Sequence, residues 1–208
     1  MGAISRYRLT SDELMLTLEN WDSLMNFKIH LIACGGTAMT LLNLKESTKD
    51  IDFVVPVETE YQRLMKFLKE IGYHSLGGGL RNPNDPNFIY QFWPGNRVFT
   101  TSLLESILDK EKHILVRRWR HIYLGAINLM DLIITKMFRG TSVDINDCIA
   151  VFIKGEIDIE QLMSRYIEAS LYDLNPDKVK RNFFYFVKRL FEKQLVTNEF
   201  IEKVKLCL

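Results

Sequence analysis

Leu31-Ile32-Ala33-Cys34-Gly35-Gly36-Thr37-Ala38 is followed, thirteen residues after Thr37, by Asp50-Ile51-Asp52-Phe53-Val54-Val55. The first stretch reads as a short buried strand that enters a Gly-Gly turn and then a helix. The second reads as a strand that opens on Asp-x-Asp. Strand side chains alternate faces, which predicts Asp50 and Asp52 on one side and Ile51 and Phe53 on the other. Two carboxylates side by side on a rigid strand repel each other unless a cation lies between them. Oxygen-rich sites suit Mg²⁺, and substrate phosphates complete its shell. A glycine turn that opens a helix offers free backbone N–H groups and the positive end of the helix dipole, a seat for phosphate. Taken singly, each stretch has a plainer explanation: a tight strand-to-helix turn, and a solvated strand end with Asp50 beside Lys49. Taken together, they predict one segment that holds phosphate and one that holds metal.

Gly-Gly, a helix, and then Ser47-Thr48-Lys49-Asp50-Ile51-Asp52-Phe53 resembles the signature of the DNA polymerase β-like nucleotidyltransferase superfamily. The form is similar to that of the AbiEii-type toxin nucleotidyltransferases and their relatives. The resemblance is most specific over residues 35–55 and traceable to about residue 153. It implies that Asp50 and Asp52 hold Mg²⁺ or Mn²⁺, and that Gly35, Gly36, Thr37, Ser47 and Lys49 contact a nucleoside triphosphate such as ATP. It also implies a toxin-like role, an antitoxin partner, and a transfer RNA or a protein side chain as acceptor.

Many members of that superfamily carry a third carboxylate on a later strand. The matching stretch here, Asn96-Arg97-Val98-Phe99-Thr100-Thr101, contains no acid. Either the site is inactive or the third acid comes from elsewhere. The stretch from Asp131 to Asp147 resembles the later toxin-family motif, in which a helical Lys and an Arg segment lead to Asp-x-x-Asp. The matched positions are Lys136, Arg139, Asp144 and Asp147. On an otherwise apolar helix, Lys136 would offset phosphate charge. Asp144 and Asp147 are three apart and share a helix face. One of them would complete a metal shell, take a proton from an attacking hydroxyl, or orient Lys136. The plainer alternative makes Asp144 a helix N-cap and lets Lys136 reach outward to water.

At 208 residues, 47% hydrophobic and 25% charged, the chain has the balance of an ordinary globular protein. Its 27 Lys/Arg against 26 Asp/Glu give no global basic field, so a polyanion site must be local. Cys34, Cys148 and Cys207 are scattered and lack metal spacing, as expected in a reducing cytoplasm. No signal architecture or bilayer-length apolar run is present, so no membrane partner is expected. The four histidines, His30, His74, His113 and His121, lack the spacing of a metal-dependent phosphohydrolase.

Helical periodicity predicts a helix from Ser11 to about Phe27 and others over Thr37–Leu44, Thr59–Ile71 and Leu103–Asp109. Strands are expected at Ile29–Cys34, Asp50–Val55, Tyr73–Leu76, Phe88–Trp93, Arg97–Thr101, Ile114–Val116 and Ile122–Leu124. The Gly-, Asn- and Pro-rich stretch Gly77 to Asn87 reads as a loop carrying Arg81. Beyond Asn128 the pattern turns helical: Leu129–Phe138, Asp144–Ile153, Ile159–Ser170, Pro176–Lys193 and Asn198–Leu206. The expected architecture is α+β. A small mixed or antiparallel sheet flanked by helices forms a nucleotidyltransferase core over 1–126, with a helical region over 127–208 packed on it. Two basic-aromatic clusters, Lys112-His113 with Arg117-Arg118-Trp119-Arg120-His121, and Lys178 to Arg189, are candidates for gripping RNA. In the second, Phe183, Phe186, Val187 and Leu190 also fit a helix core stripe.

Overall fold

Thr10 and Glu13 start the first helix as their chemistry dictates. In a computed structural model that describes residues 8–207, the Thr10 hydroxyl accepts from the Glu13 amide and the Glu13 carboxylate accepts from the Thr10 amide, a reciprocal capping box. The chain groups into two compact units. The first runs to Val98 and takes in Glu105–Asn128; the second comprises Phe99–Leu104 and the chain from Leu129 onward.

The first unit contains β1 (Leu9–Thr10), α1 (Ser11–Leu24), β2 (Ile29–Ala33), α2 (Gly35–Leu41), β3 (Ser47–Thr48), β4 (Ile51–Val55) and α3 (Glu58–Glu70). It continues with β5 (His74–Leu76), β6 (Gly79–Asn82), β7 (Asp85–Pro94) and β8 (Arg97–Val98). After β9 (Thr101–Ser102), which groups with the second unit, the first unit resumes with β10 (His113–Arg118) and β11 (Ile122–Ile127). Seven strands form one mixed sheet in the order β10-β11-β2-β4-β7-β6-β5. At its centre β2 runs antiparallel to β4, while β11 is parallel to β2 and β7 is parallel to β4. This is the expected α+β class, with a wider sheet than the sequence suggested.

The core of the first unit is aromatic and aliphatic. Phe53 and Phe92 stack with centroids 6.0 Å apart, and Trp21 lies against Tyr73 and Tyr90 while its indole N–H donates to the Tyr73 hydroxyl. Burying rings of this size supplies much of a domain's hydrophobic stabilisation, and the Trp donor is satisfied as a buried polar tip must be.

Three stretches differ from expectation. Residues 77–87 are not an irregular loop. Gly79–Asn82 pairs with β7, and Asn82 faces Asp85 across a two-residue turn at Pro83-Asn84, so ladder hydrogen bonds override the local turn propensity. Leu103–Asp109 forms no helix. The Ile107 amide is taken by the Asn96 side chain and the Leu108 amide by Ser106 Oγ, side-chain acceptors that compete with a helical ladder. The single strand expected at Arg97–Thr101 is broken at Phe99, whose φ of 54° is left-handed.

The second unit is helical apart from β9: α4 (Leu129–Arg139), α5 (Ser142–Lys154), α6 (Ile159–Ser170), α7 (Pro176–Glu192) and α8 (Asn198–Cys207). Tyr166, Phe183 and Phe186 fill its centre. Tyr166 stacks on Phe183 at 4.5 Å and donates its hydroxyl hydrogen to the Val179 carbonyl at 2.8 Å. Asp158 and Asn175 cap α6 and α7. No helix among the described residues is long and apolar enough to cross a membrane. The sequence expectations for residues 1–7 lie outside the described residues.

One buried carboxylate joins the end of α1 to the start of β11. Asp22 Oδ1 accepts from the His121 amide at 2.7 Å and the Ile122 amide at 2.8 Å. Replacing Asp22 with Ala orphans both donors, and we expect a loss of about 2 kcal/mol. Asp22→Asn, which keeps an oxygen acceptor, should lose clearly less. Urea unfolding of the two variants checks this, and equal losses would show that the shared acceptor is not what matters.

Candidate active site

The glycine turn and the Asp-x-Asp stretch are built as one object. Because β2 and β4 are antiparallel, with Ala33 opposite Phe53 and Ile32 opposite Val54, the end of β2 meets the start of β4. The Cys34 amide donates to the Asp52 carbonyl at 3.1 Å. Thr37, fully buried on α2, donates its hydroxyl hydrogen to the Asp50 carbonyl at 3.1 Å and accepts from the Asp52 amide at 2.9 Å. Thr48 adds a second donor to the Asp50 carbonyl at 2.8 Å.

Both glycines are required by this geometry, for different reasons. Gly35 has a φ of 56°, a left-handed conformation that costs an L residue roughly 1–2 kcal/mol. Gly36 sits against Thr48, whose Oγ1 lies 2.6 Å from where a Cβ would stand. The helix therefore begins at Gly35, not at Thr37 as its side-chain pattern suggested.

The two acids are not equivalent. Asp52 lies inside β4 at 3% exposure, whereas Asp50 lies in the bend before the strand and is exposed. Lys49 is exposed as well, and Ser47 is half-buried in β3. Ser47 is held from outside: Arg8 Nε donates to its Oγ at 2.8 Å and Arg8 Nη2 to its carbonyl at 2.7 Å. Sequence reasoning missed Arg8. It stands 39 positions away and is brought in only because β1 pairs with β3, Leu9 opposite Thr48.

The strand beside β4 is β7, not the Asn96–Thr101 stretch where a third acid was sought. In the parallel register Gln91 stands next to Asp52, so an amide occupies that neighbouring position. Among the described residues no group of three or more His, Cys, Asp or Glu is placed to hold a metal. An ion of the Mg²⁺ type needs only one or two protein carboxylates and completes its shell with substrate phosphates and water.

The other predicted residues gather in the second unit. Lys136 is 4% exposed, and its ammonium donates to Asp147 Oδ2 at 2.8 Å and lies 3.8 Å from Asp144 Oδ1. It does not extend to water. Asp144 is not the N-cap of α5; Thr141 is, and Asp144 closes the capping box three residues on. The Asp144 carboxylate also accepts from Arg139 Nε at 2.8 Å and from Arg139 Nη2, while the Arg139 guanidinium sits 5.1 Å over the Phe99 ring. Burial alone would raise the Asp144 pKa. The hydrogen bonds from Arg139 and Thr141 and the Arg139 charge outweigh it and hold the carboxyl below its ordinary value. Lys136, Arg139, Asp144 and Asp147 thus form a charge-balanced cluster in which Lys136 and Asp144 are buried, Asp147 is half-buried and Arg139 is exposed.

Residues 109–195 match the family described as "Nucleotidyltransferase of unknown function (DUF6036)". That span contains Lys136, Arg139, Asp144 and Asp147 and lies beyond the Gly35–Asp52 region. The match supports a transferase, a nucleotidyltransferase in general terms. Among solved structures the chain is similar to the antibiotic-resistance factor ANT(2'')-Ia, described in solution as having substrate-regulated conformation dynamics. Identity is 11% and the TM-score 0.49, over 74% of this chain and 87% of that one. No curated protein matches the sequence.

Two outcomes follow from this geometry. Gly36→Ala should cost about 2 kcal/mol through overpacking against Thr48. Adding Thr48→Ala should recover part of that loss, so the double variant is more stable than the summed single effects; strict additivity in thermal unfolding would contradict the contact. The lowered Asp144 pKa gives stability that is fully present above the unfolded value of 3.8 and is lost as pH falls through the lower folded value. Asp144→Asn should flatten that acid limb in denaturant titrations, and an unchanged limb would contradict the assignment.

Proposed function

We propose that the protein is a metal-dependent nucleotidyltransferase that moves a nucleoside monophosphate from a nucleoside triphosphate to an RNA or protein hydroxyl, as the toxin-like member of a toxin–antitoxin pair. The observation that carries this reading is the Thr37 clasp, which puts the glycine turn and Asp50–Asp52 at one end of the sheet. The Gly35 and Gly36 amides, with Ser47 and Lys49 beside them, bind the triphosphate. The Thr37 hydroxyl is engaged on both sides, so it serves by holding the turn against the acids.

Asp50 and Asp52 are the residues that would hold Mg²⁺ or Mn²⁺. When bound, such an ion stabilises charge on the attacking and leaving oxygens. The acceptor oxygen bonds to the α-phosphorus, the bond from that phosphorus to the α,β-bridging oxygen breaks, and pyrophosphate leaves. Asp144 or Asp147 takes the hydroxyl proton and Lys136 offsets phosphate charge, roles that rest on the motif resemblance. Little covalent chemistry is asked of the chain; orientation and charge supply most of the rate.

A second reading, an inactive nucleotide-binding module, is favoured by Gln91 in the place beside Asp52. Incubating total RNA and protein with α-³²P-labelled triphosphates and Mn²⁺ separates the two. The enzyme reading expects labelling that falls about 100-fold or more in Asp52→Asn. Triphosphate binding without transfer under any divalent metal would instead establish the module. Lys136→Met should also abolish labelling. If it unfolds the second unit by circular dichroism, the structural share of the cluster is exposed, and Asp147→Asn then serves as the milder probe.

A further inference from the structure

Lys28, Arg118 and Arg120 line a cavity of about 260 Å³ together with Trp119 and Tyr123, where β2 and β11 begin. Among the described residues none of these three cations forms an ion pair, although the chain as a whole carries a net charge of only +1. Two arginines of the same hairpin lie on rings: Arg118 is 5.1 Å over Tyr123 and Arg117 is 4.9 Å over Trp119. A guanidinium over an aromatic ring keeps its charge and its remaining donors for a phosphate or a nucleobase. The Trp119 indole N–H is buried and among the described residues has no acceptor.

The cluster sits on a fixed support. The loop Trp119-Arg120-His121 is closed by the bond from the Trp119 amide to the Ile122 carbonyl, tied to β2 by the Ile29 amide on the His121 carbonyl, and tied to α1 by Asp22 on the His121 amide. Groups preset in this way lose little freedom on binding. The cavity lies at the opposite end of β2 from Gly35, roughly 15 Å along the strand.

From these observations we infer that the β10–β11 turn is a binding site for single-stranded nucleic acid, remote from the Gly35–Asp52 site. Lys28 and Arg120 take backbone phosphates, and the ring-backed Arg118 takes a phosphate and stacks an unpaired base. Binding needs neither a triphosphate nor a metal, so it stands or falls separately from nucleotidyl transfer.

The test is fluorescence anisotropy with labelled single strands of RNA and of DNA, about 12 nucleotides long, at several salt concentrations. Arg118→Gln/Arg120→Gln should weaken binding at least tenfold and reduce the slope of log K against log salt by about 1.4, two contacts at about 0.7 each. A matched variant, Lys178→Gln/Arg181→Gln, removes the same charge from exposed positions on α7 and should leave both quantities near wild type. Binding measured in EDTA and without a triphosphate should match that measured with Mg²⁺ present. A difference between the RNA and DNA arms identifies which strand is preferred, and binding to either supports the site. The inference is overturned if the hairpin variant binds normally, if both double variants weaken binding equally, or if phosphatidylserine vesicles are bound and single strands are not.

Discussion

A single hydroxyl group holds the candidate site together. Thr37 Oγ1 gives its hydrogen to the Asp50 carbonyl and takes one from the Asp52 amide, so the first turn of α2 cannot move independently of the acids that open β4. Buried backbone groups at the ends of strands must find partners. Here those partners come from the very residue that follows the glycines. The Gly36–Thr48 contact and the Thr48 bond to Asp50 brace the same point from the other side. Substituting any of the three residues therefore perturbs backbone that the other two depend on.

This construction makes the acid pair asymmetric. One carboxylate is drawn into the sheet and the other is left exposed at its edge. A buried carboxylate needs compensation, whereas an exposed one exchanges ligands readily. In the second unit the logic is reversed. Lys136 is buried and Arg139 reaches in from the surface, with Asp144 and Asp147 as charge partners, and the capping box of α5 is part of the same network. Breaking one partner of such a group leaves an uncompensated charge, so substitutions there are costly to the fold.

Much of this was legible in the sequence. The helices of the second unit were legible nearly to the residue because their apolar stripes are strong. The Gly-Gly and Asp-x-Asp stretches were legible because each combines an unusual backbone need with an unusual charge pattern. What sequence reasoning missed is non-local. The Arg8–Ser47 contact and the Asp22–His121 anchor depend on chain partners 39 and 99 positions apart, and no local window contains them. The β6 strand was missed because its Gly and Asn residues argue for a loop, and only β7 gives it a ladder. The pairing of Lys136 with Asp147 was among the alternatives legible in the sequence, although it spans a helix break at Gly140.

The central claim is that the Thr37 clasp makes the glycine turn and the acid pair one site. The most direct measurement is calorimetric titration of Mn²⁺ and a nucleoside triphosphate, each in the absence and presence of the other, in wild type, Thr37→Ser and Thr37→Val. Coupling between two ligands is reciprocal and measures how firmly their sites are joined. The account predicts mutual enhancement in wild type and in Thr37→Ser, and its loss in Thr37→Val with the fold retained. Equal enhancement in Thr37→Val would show that the hydroxyl does not join them and would contradict the account.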